Sequence, residues 1–139
     1  MAYTITHLII GYRLLDAAKP ENPDDFLLGS IIPDAVHTRA NYCREMKAES
    51  HFMPPQLGWG TLKTMENTDI WLSSIRERYM ETVSACGGET DFLRGILVHI
   101  LTDVFNAKTV MRGLMQAHPE LDYSIVAREQ GALDAFLYR

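Results

Sequence analysis

His99 and Asp103 lie one helical turn apart within residues 92–105, the most apolar stretch of the chain, so both side chains leave the same face of any helix formed there. Burying such a pair is costly unless something compensates. A neutral imidazole and an ionised carboxylate at i, i+4 can share a divalent metal, whose charge stabilises the carboxylate in a dry site. A plain hydrogen bond between the two inside a helical core is the simpler alternative, and the pair alone leaves both open. Four more residues enlarge the set: His7 near the start of the chain, Asp34 directly after Pro33, His37 three residues on, and His51 before Phe52. Each has an ordinary explanation by itself, as a locally satisfied half-buried histidine, a turn-capping aspartate or a loop histidine. Together they make a ligand set of imidazole and carboxylate without a thiolate pair. That set suits a catalytic zinc or similar divalent site and not a structural zinc finger.

These side chains need a scaffold, and the periodicity predicts helices throughout. Ile5, Leu8, Ile9, Tyr12 and Leu15 predict a helix over residues 4–18 with that stripe on the core; His7 groups with Ile10, Gly11 and Leu14 on a second face, which makes the helix central. Asn22-Pro23-Asp24-Asp25 is a helix start, with Asn22 as cap, Pro23 in the first position and two acids complementing the dipole. That short helix must end near Ile32, because Pro33 disfavours helical geometry in the residue before it. Residues 38–60, with few periodic apolar positions and the breakers Pro54, Pro55, Gly58 and Gly60, read as one long irregular connection of the sort that often carries function. Trp71, Ile75 and Tyr79, flanked by Leu72 and Val83, predict an amphipathic helix that starts within residues 61–67 and ends near 85 at Gly87-Gly88. Residues 92–105 predict a helix buried on every side. A further helical stretch runs to about Gln116, and Pro119 opens a last helix with the stripe Leu121, Ile125, Leu133 and Leu137. The expected fold class is therefore all-α: a single-domain helical bundle, residues 1–139, around a buried metal-binding helix. The helical pattern is unbroken at Arg139, which leaves room for a native C-terminal segment.

Composition narrows the function classes. A chain of 139 residues with 47% hydrophobic and 22% charged residues is one globular domain able to bury a core. A net charge of −5 argues against a protein that tracks nucleic-acid backbones, since such binding rests on neutralising phosphates with Lys and Arg. No apolar run reaches membrane-spanning length, and the N-terminus lacks a signal peptide's pattern, so the expected location is cytoplasmic. Cys43 and Cys86 form no C-x-x-C pair and suit unpaired thiols in a reducing compartment. Phe52, Met53 and Trp59 read as aromatic and apolar tacks of the irregular segment, Arg76-Glu77-Arg78 as a solvated face, and Arg94 as an internal ion-pair partner or a phosphate contact.

The succession Thr6-His7, then Leu28-Gly29-Ser30-Ile31-Ile32-Pro33-Asp34, then Ser50-His51-Phe52, then Gly95-Ile96-Leu97-Val98-His99-Ile100-Leu101-Thr102-Asp103 resembles the zinc-dependent phospholipase C family, whose relatives include single-strand-specific nucleases. The G-S-I-x-P-D and H-x-x-x-D segments, in that order, are the specific part. The resemblance implies an all-helical fold in which His51, His99, Asp34 and Asp103 hold one metal, and His7 with a shared Asp103 holds another. Secreted members also use the amine of a mature N-terminal residue, whereas this chain begins Met1-Ala2. The family's later histidine pair and Glu are missing: after Asp103 there is only His118, next to Pro119. One or two divalent ions, zinc or a substitute, are therefore expected rather than three. His37 is expected as an additional ligand or a phosphate contact.

The implied function is metal-dependent hydrolysis of a phosphodiester. The metal polarises the phosphoryl oxygens and lowers the pKa of a bound water that attacks phosphorus, and Asp34 orients or deprotonates that water. The chain has no basic amphipathic helix of the membrane-binding kind, so a small soluble phosphodiester is as good a substrate as a lipid head group. Lack of an adjacent His-Asp dipeptide weakens a histidine-aspartate phosphohydrolase reading. A non-catalytic helical module that keeps a metal for stability or serves as an interaction domain is the alternative from a different class.

Overall fold

A computed structural model describes residues 4–62 and 64–137 of the chain. Seven α-helices, and no strand, are found among them: α1 (Thr4–Ala18), α2 (Pro23–Gly29), α3 (Arg44–Ser50), α4 (Met65–Ala85), α5 (Asp91–Phe105), α6 (Arg112–Ala117) and α7 (Tyr123–Leu137). Two 3₁₀ segments, Ile32–Thr38 and Trp59–Thr61, and a π-helical segment, Asn106–Met111, complete the order. The all-helical expectation holds.

Helix ends follow local chemistry. The Asn22 side chain accepts the Asp25 amide at the start of α2, Thr64 does the same for Asn67 in α4, and Thr90 for Leu93 in α5. The end of α4 is turned by Gly87 at φ +77, a left-handed conformation that glycine adopts without strain. Asp91 ties two of these starts together. Its carboxylate accepts from the Asn22 amide and from Arg94, whose guanidinium also reaches the Ala18 carbonyl, so Arg94 is an internal structural residue.

The apolar core lies between α4, α5 and the segment after α3: Met53, Leu62, Trp71, Ile75, Ile100 and Val104. Trp71 is fully buried and donates its indole N–H to the His51 carbonyl, and Ser74 donates to the Phe52 carbonyl, so the loop after α3 is pinned by its own backbone. Phe52, Met53 and Trp59 do pack as tacks. Arg78 is less solvated than expected, since its guanidinium lies over the Phe52 ring.

α5 also meets α1, α2 and the first 3₁₀ segment, most closely α2. The reason is a glycine crossing. A Cβ on Gly29 would collide with the Phe92 carbonyl and come within 3.0 Å of the Gly95 Cα; a Cβ on Gly95 would collide with the Phe26 carbonyl. With no side chains at the crossing, the two backbones touch, and Ser30 is brought against the turn of α5 that carries His99.

Several sequence expectations need correction. The supposed irregular connection over 38–60 contains α3, whose buried residue is Lys47 and not an apolar one, so no apolar period announces it. The helix begun at Pro23 ends at Gly29, and Asp34 lies inside the following 3₁₀ segment. In α1 the inward face is the one with His7 and Gly11, while Ile9 and Tyr12 from the predicted core stripe are exposed. α5 is not buried all round, because Leu101 and Phe105 face outward. The last helix starts at Tyr123 and buries Val126, leaving Ile125 and Leu133 exposed; the side chain of Leu137 lies outside the described residues. No described helix is long and apolar enough to cross a membrane. Both cysteines are free.

Candidate metal centre

α5 presents two neighbouring stripes. Ile100 and Val104 enter the apolar core, and His99 and Asp103, one turn apart, point to the side where α1 and the Asp34 segment lie. His7 from α1 stacks on His99 with ring centroids 3.6 Å apart and planes 16° from parallel. His51, the residue that ends α3, closes the group at a ring-centroid distance of 5.0 Å from His99. His7, His51, His99 and Asp103 are each at most 1% exposed.

Backbone carbonyls decide which ring nitrogens carry hydrogen. His99 Nδ1 lies 2.8 Å from the Ser30 carbonyl oxygen, and His51 Nδ1 lies 2.9 Å from the Lys47 carbonyl oxygen. A carbonyl oxygen accepts only, so His99 Nδ1 is the donor; the Lys47 carbonyl sets the same tautomer in His51, whose Nδ1 also lies 2.9 Å from the Ser50 hydroxyl, with that hydroxyl donating to the Pro33 carbonyl, and each Nε2 keeps its lone pair. Those two Nε2 atoms face each other at 3.1 Å. Zn–N bonds of about 2.0–2.1 Å in a tetrahedral shell place neighbouring ligand nitrogens about 3.3 Å apart, so the imidazoles have the spacing and tautomers of paired metal ligands. His7 Nε2 faces Asp103 Oδ1 at 3.4 Å, and its Nδ1 has no hydrogen-bond partner among the described residues. A buried imidazole in that state is again what a cation would satisfy.

The two carboxylates complete the group. Asp103 Oδ2 is 3.6 Å from His51 Nε2, and Asp34 Oδ1 is 3.5 Å from His51 Nε2 and 4.0 Å from His99 Nε2. Two overlapping triads have ligand atoms close enough to hold an ion: His7, Asp34 and His99, and His51, His99 and Asp103. Residues from four separate segments thus meet at one point, and they fit a divalent cation in donor type, tautomer and spacing.

Electrostatics within the cluster run the same way. Burial opposes ionisation of Asp103, but the His7 edge facing its Oδ1 outweighs it and holds the carboxyl below its usual range. For Asp34, burial is likewise outweighed, with the Lys47 ammonium on its Oδ1, leaving the carboxyl far below the ordinary carboxylate value. His99 is pushed down to about 4, first by burial and then by His7, so it is neutral and able to ligate at neutral pH.

Lys47 is the residue that sequence reasoning missed. It is 3% exposed, and its ammonium donates to Asp34 Oδ1 at 3.0 Å and to His37 Nε2 at 2.8 Å, 5.2 Å from the centre of the Trp59 ring. Its only sequence signal is its place four residues before His51, which puts both on one face of a helix that the apolar pattern does not reveal. His37 stands outside both triads: its Nε2 lone pair receives the Lys47 ammonium, and its ring leans on Tyr42. Burial and Lys47 together hold its pKa below the usual imidazole value. His118, exposed, pairs with Glu120 away from the cluster.

Compared with family models, with curated proteins and with solved structures, the chain finds no match in any of the three.

Proposed function

We propose that this chain is a divalent-metal-dependent phosphoesterase of the zinc-dependent phospholipase C kind. The observation that carries the reading is the pair of Nε2 lone pairs at 3.1 Å, each fixed by an Nδ1 hydrogen already given to a backbone carbonyl. Two acceptors so close repel unless a cation lies between them. His7, Asp103 and Asp34 supply the further donors. The order of the G-S-I-x-P-D and H-x-x-x-D segments supports the choice of phosphoester chemistry over other hydrolyses.

When bound, a divalent ion supplies Lewis acidity toward a phosphoryl group and lowers the pKa of a water. The chain's own contributions are positional. Ser30 and the Lys47 carbonyl orient His99 and His51, and Asp103 balances charge in the driest part of the cluster. Asp34, whose side chain is 11% exposed, stands at the rim. Its strongly depressed pKa makes it a constant hydrogen-bond acceptor that orients a water, and a weak proton acceptor. The favoured substrate is a small phosphodiester, with a lipid head group sharing the same chemistry.

The test is elemental analysis of protein purified without chelator, followed by phosphodiester hydrolysis with and without chelation. Bound stoichiometric metal, and turnover that chelation abolishes and zinc, manganese or cobalt restores, is the expected result. Absence of metal even after zinc reconstitution at neutral pH overturns the reading. The near-complete burial of four of the five ligand residues favours a second reading, a closed metal site that serves stability alone. A fully metallated protein inert toward both diesters and monoesters would establish it.

A further inference from the structure

The two ligand triads share His99, and His99 has a single lone pair to give. Its Nδ1 hydrogen belongs to the Ser30 carbonyl, so the ring cannot bridge two ions, and occupation of one triad removes His99 from the other. Asp34 is also partly committed, because the Lys47 ammonium lies on the same Oδ1 that approaches His51 and His99. A buried ammonium therefore stands beside the ligand cluster where a second divalent ion would otherwise compete for Asp34.

Charge points the same way. Asp34 and Asp103 bring two negative charges into the cluster and Lys47 brings one positive. One divalent ion leaves a single net positive charge, which an oxyanion can neutralise; two ions would leave three in a site almost closed to water, at a large desolvation cost. The Lys47 ammonium has three N–H donors, of which Asp34 and His37 take two. We infer that the centre holds one divalent cation and that Lys47 takes the place of a second, giving its remaining N–H to an oxygen of a phosphate-type anion bound beside the metal. Lys47 is thus an anion-binding residue. This rests on the metal reading above and adds stoichiometry and the second cation to it.

The experiment is calorimetric titration of the chelator-treated, dialysed full chain with zinc, then of the zinc-loaded protein with inorganic phosphate. One zinc per chain is expected for the parent, for Lys47→Arg and for Lys47→Met. Phosphate affinity should fall at least tenfold in Lys47→Met and return most of the way in Lys47→Arg. Two zinc ions per parent chain at comparable affinity overturn this inference while leaving the metal reading intact. So does equal phosphate affinity in the parent and Lys47→Met. No zinc binding by the parent removes both. Should Lys47→Met fail to fold, the parent's stoichiometry and phosphate binding by Lys47→Arg still decide: two ions, or parent and Lys47→Arg both blind to phosphate at millimolar concentration, refute it.

Discussion

Asp103 and Asp34 approach the same imidazoles but are held by different partners, and this makes them unequal. Asp103 is 1% exposed among His7, His51 and His99, whereas Asp34 reaches the rim and is tied to the Lys47 ammonium. Asp103→Asn should therefore abolish metal binding. Asp34→Asn should keep most of the metal while slowing phosphodiester hydrolysis by about 10²-fold or more. Metal content and rate measured side by side check this, and equal loss of metal in both variants would make Asp34 a ligand first. The low pKa of His99 carries a second prediction, for the chelated protein. His99 takes up a proton near its unperturbed 6.5 in the unfolded chain and only near 4 in the fold. Between those values the unfolded chain binds more protons, so stability is full above 6.5 and is lost as the pH falls toward 4. Melting temperatures of the metal-free protein across that window should drop steadily, and His99→Gln should flatten the slope.

Helix contacts decide whether those side chains meet. The Gly29–Gly95 crossing brings the Ser30 carbonyl to His99, four residues along α5 from Gly95. Gly95→Ala must push the two backbones apart. It should cost about 1–3 kcal/mol, as overpacking does, and weaken zinc binding by withdrawing the carbonyl that fixes the His99 tautomer. Gly113 in α6 is the matched control, because a Cβ there meets nothing within 4 Å. Gly113→Ala should stabilise by about 0.5–1 kcal/mol and leave zinc affinity unchanged. Urea unfolding and zinc titration of the two variants test both statements. If Gly95→Ala binds zinc like the parent, the crossing is packing alone.

Across the whole molecule, the ligand set joins α1, the Ile32–Thr38 segment, the end of α3 and α5, so a bound ion would cross-link parts of the chain that are far apart in sequence. At free zinc about 100 times its dissociation constant, binding to the native state alone adds about 2.7 kcal/mol. For a domain of this size the melting temperature should rise by about 5–10 °C, a shift that chelator reverses. An unchanged melting curve would show that zinc does not bind the native state in preference to the unfolded chain. How far this architecture can be read from sequence differs by element. Trp71, Ile75 and Tyr79 at helical spacing, the Asn22-Pro23 start and the Gly87-Gly88 stop are local signals, and they fall where the structure has them, since capping and amphipathic burial act within a few turns. The candidate ligands stand out as well, because histidines and acids in apolar surroundings are conspicuous by type. α3 gives no such signal, being a seven-residue helix that buries a lysine, and the apolar stripe of α1 points to the wrong face, because its inward residues are a histidine and a glycine. Both differences have one cause. Hydrophobic periodicity finds faces that pack against an oily core, and here those faces pack against a polar cluster whose members are spread over the chain from residue 7 to residue 103. That His51 and His99 face each other with bare lone pairs, and that Lys47 lies on Asp34, depends on contacts across 48 and 13 residues of sequence, which folding alone brings together.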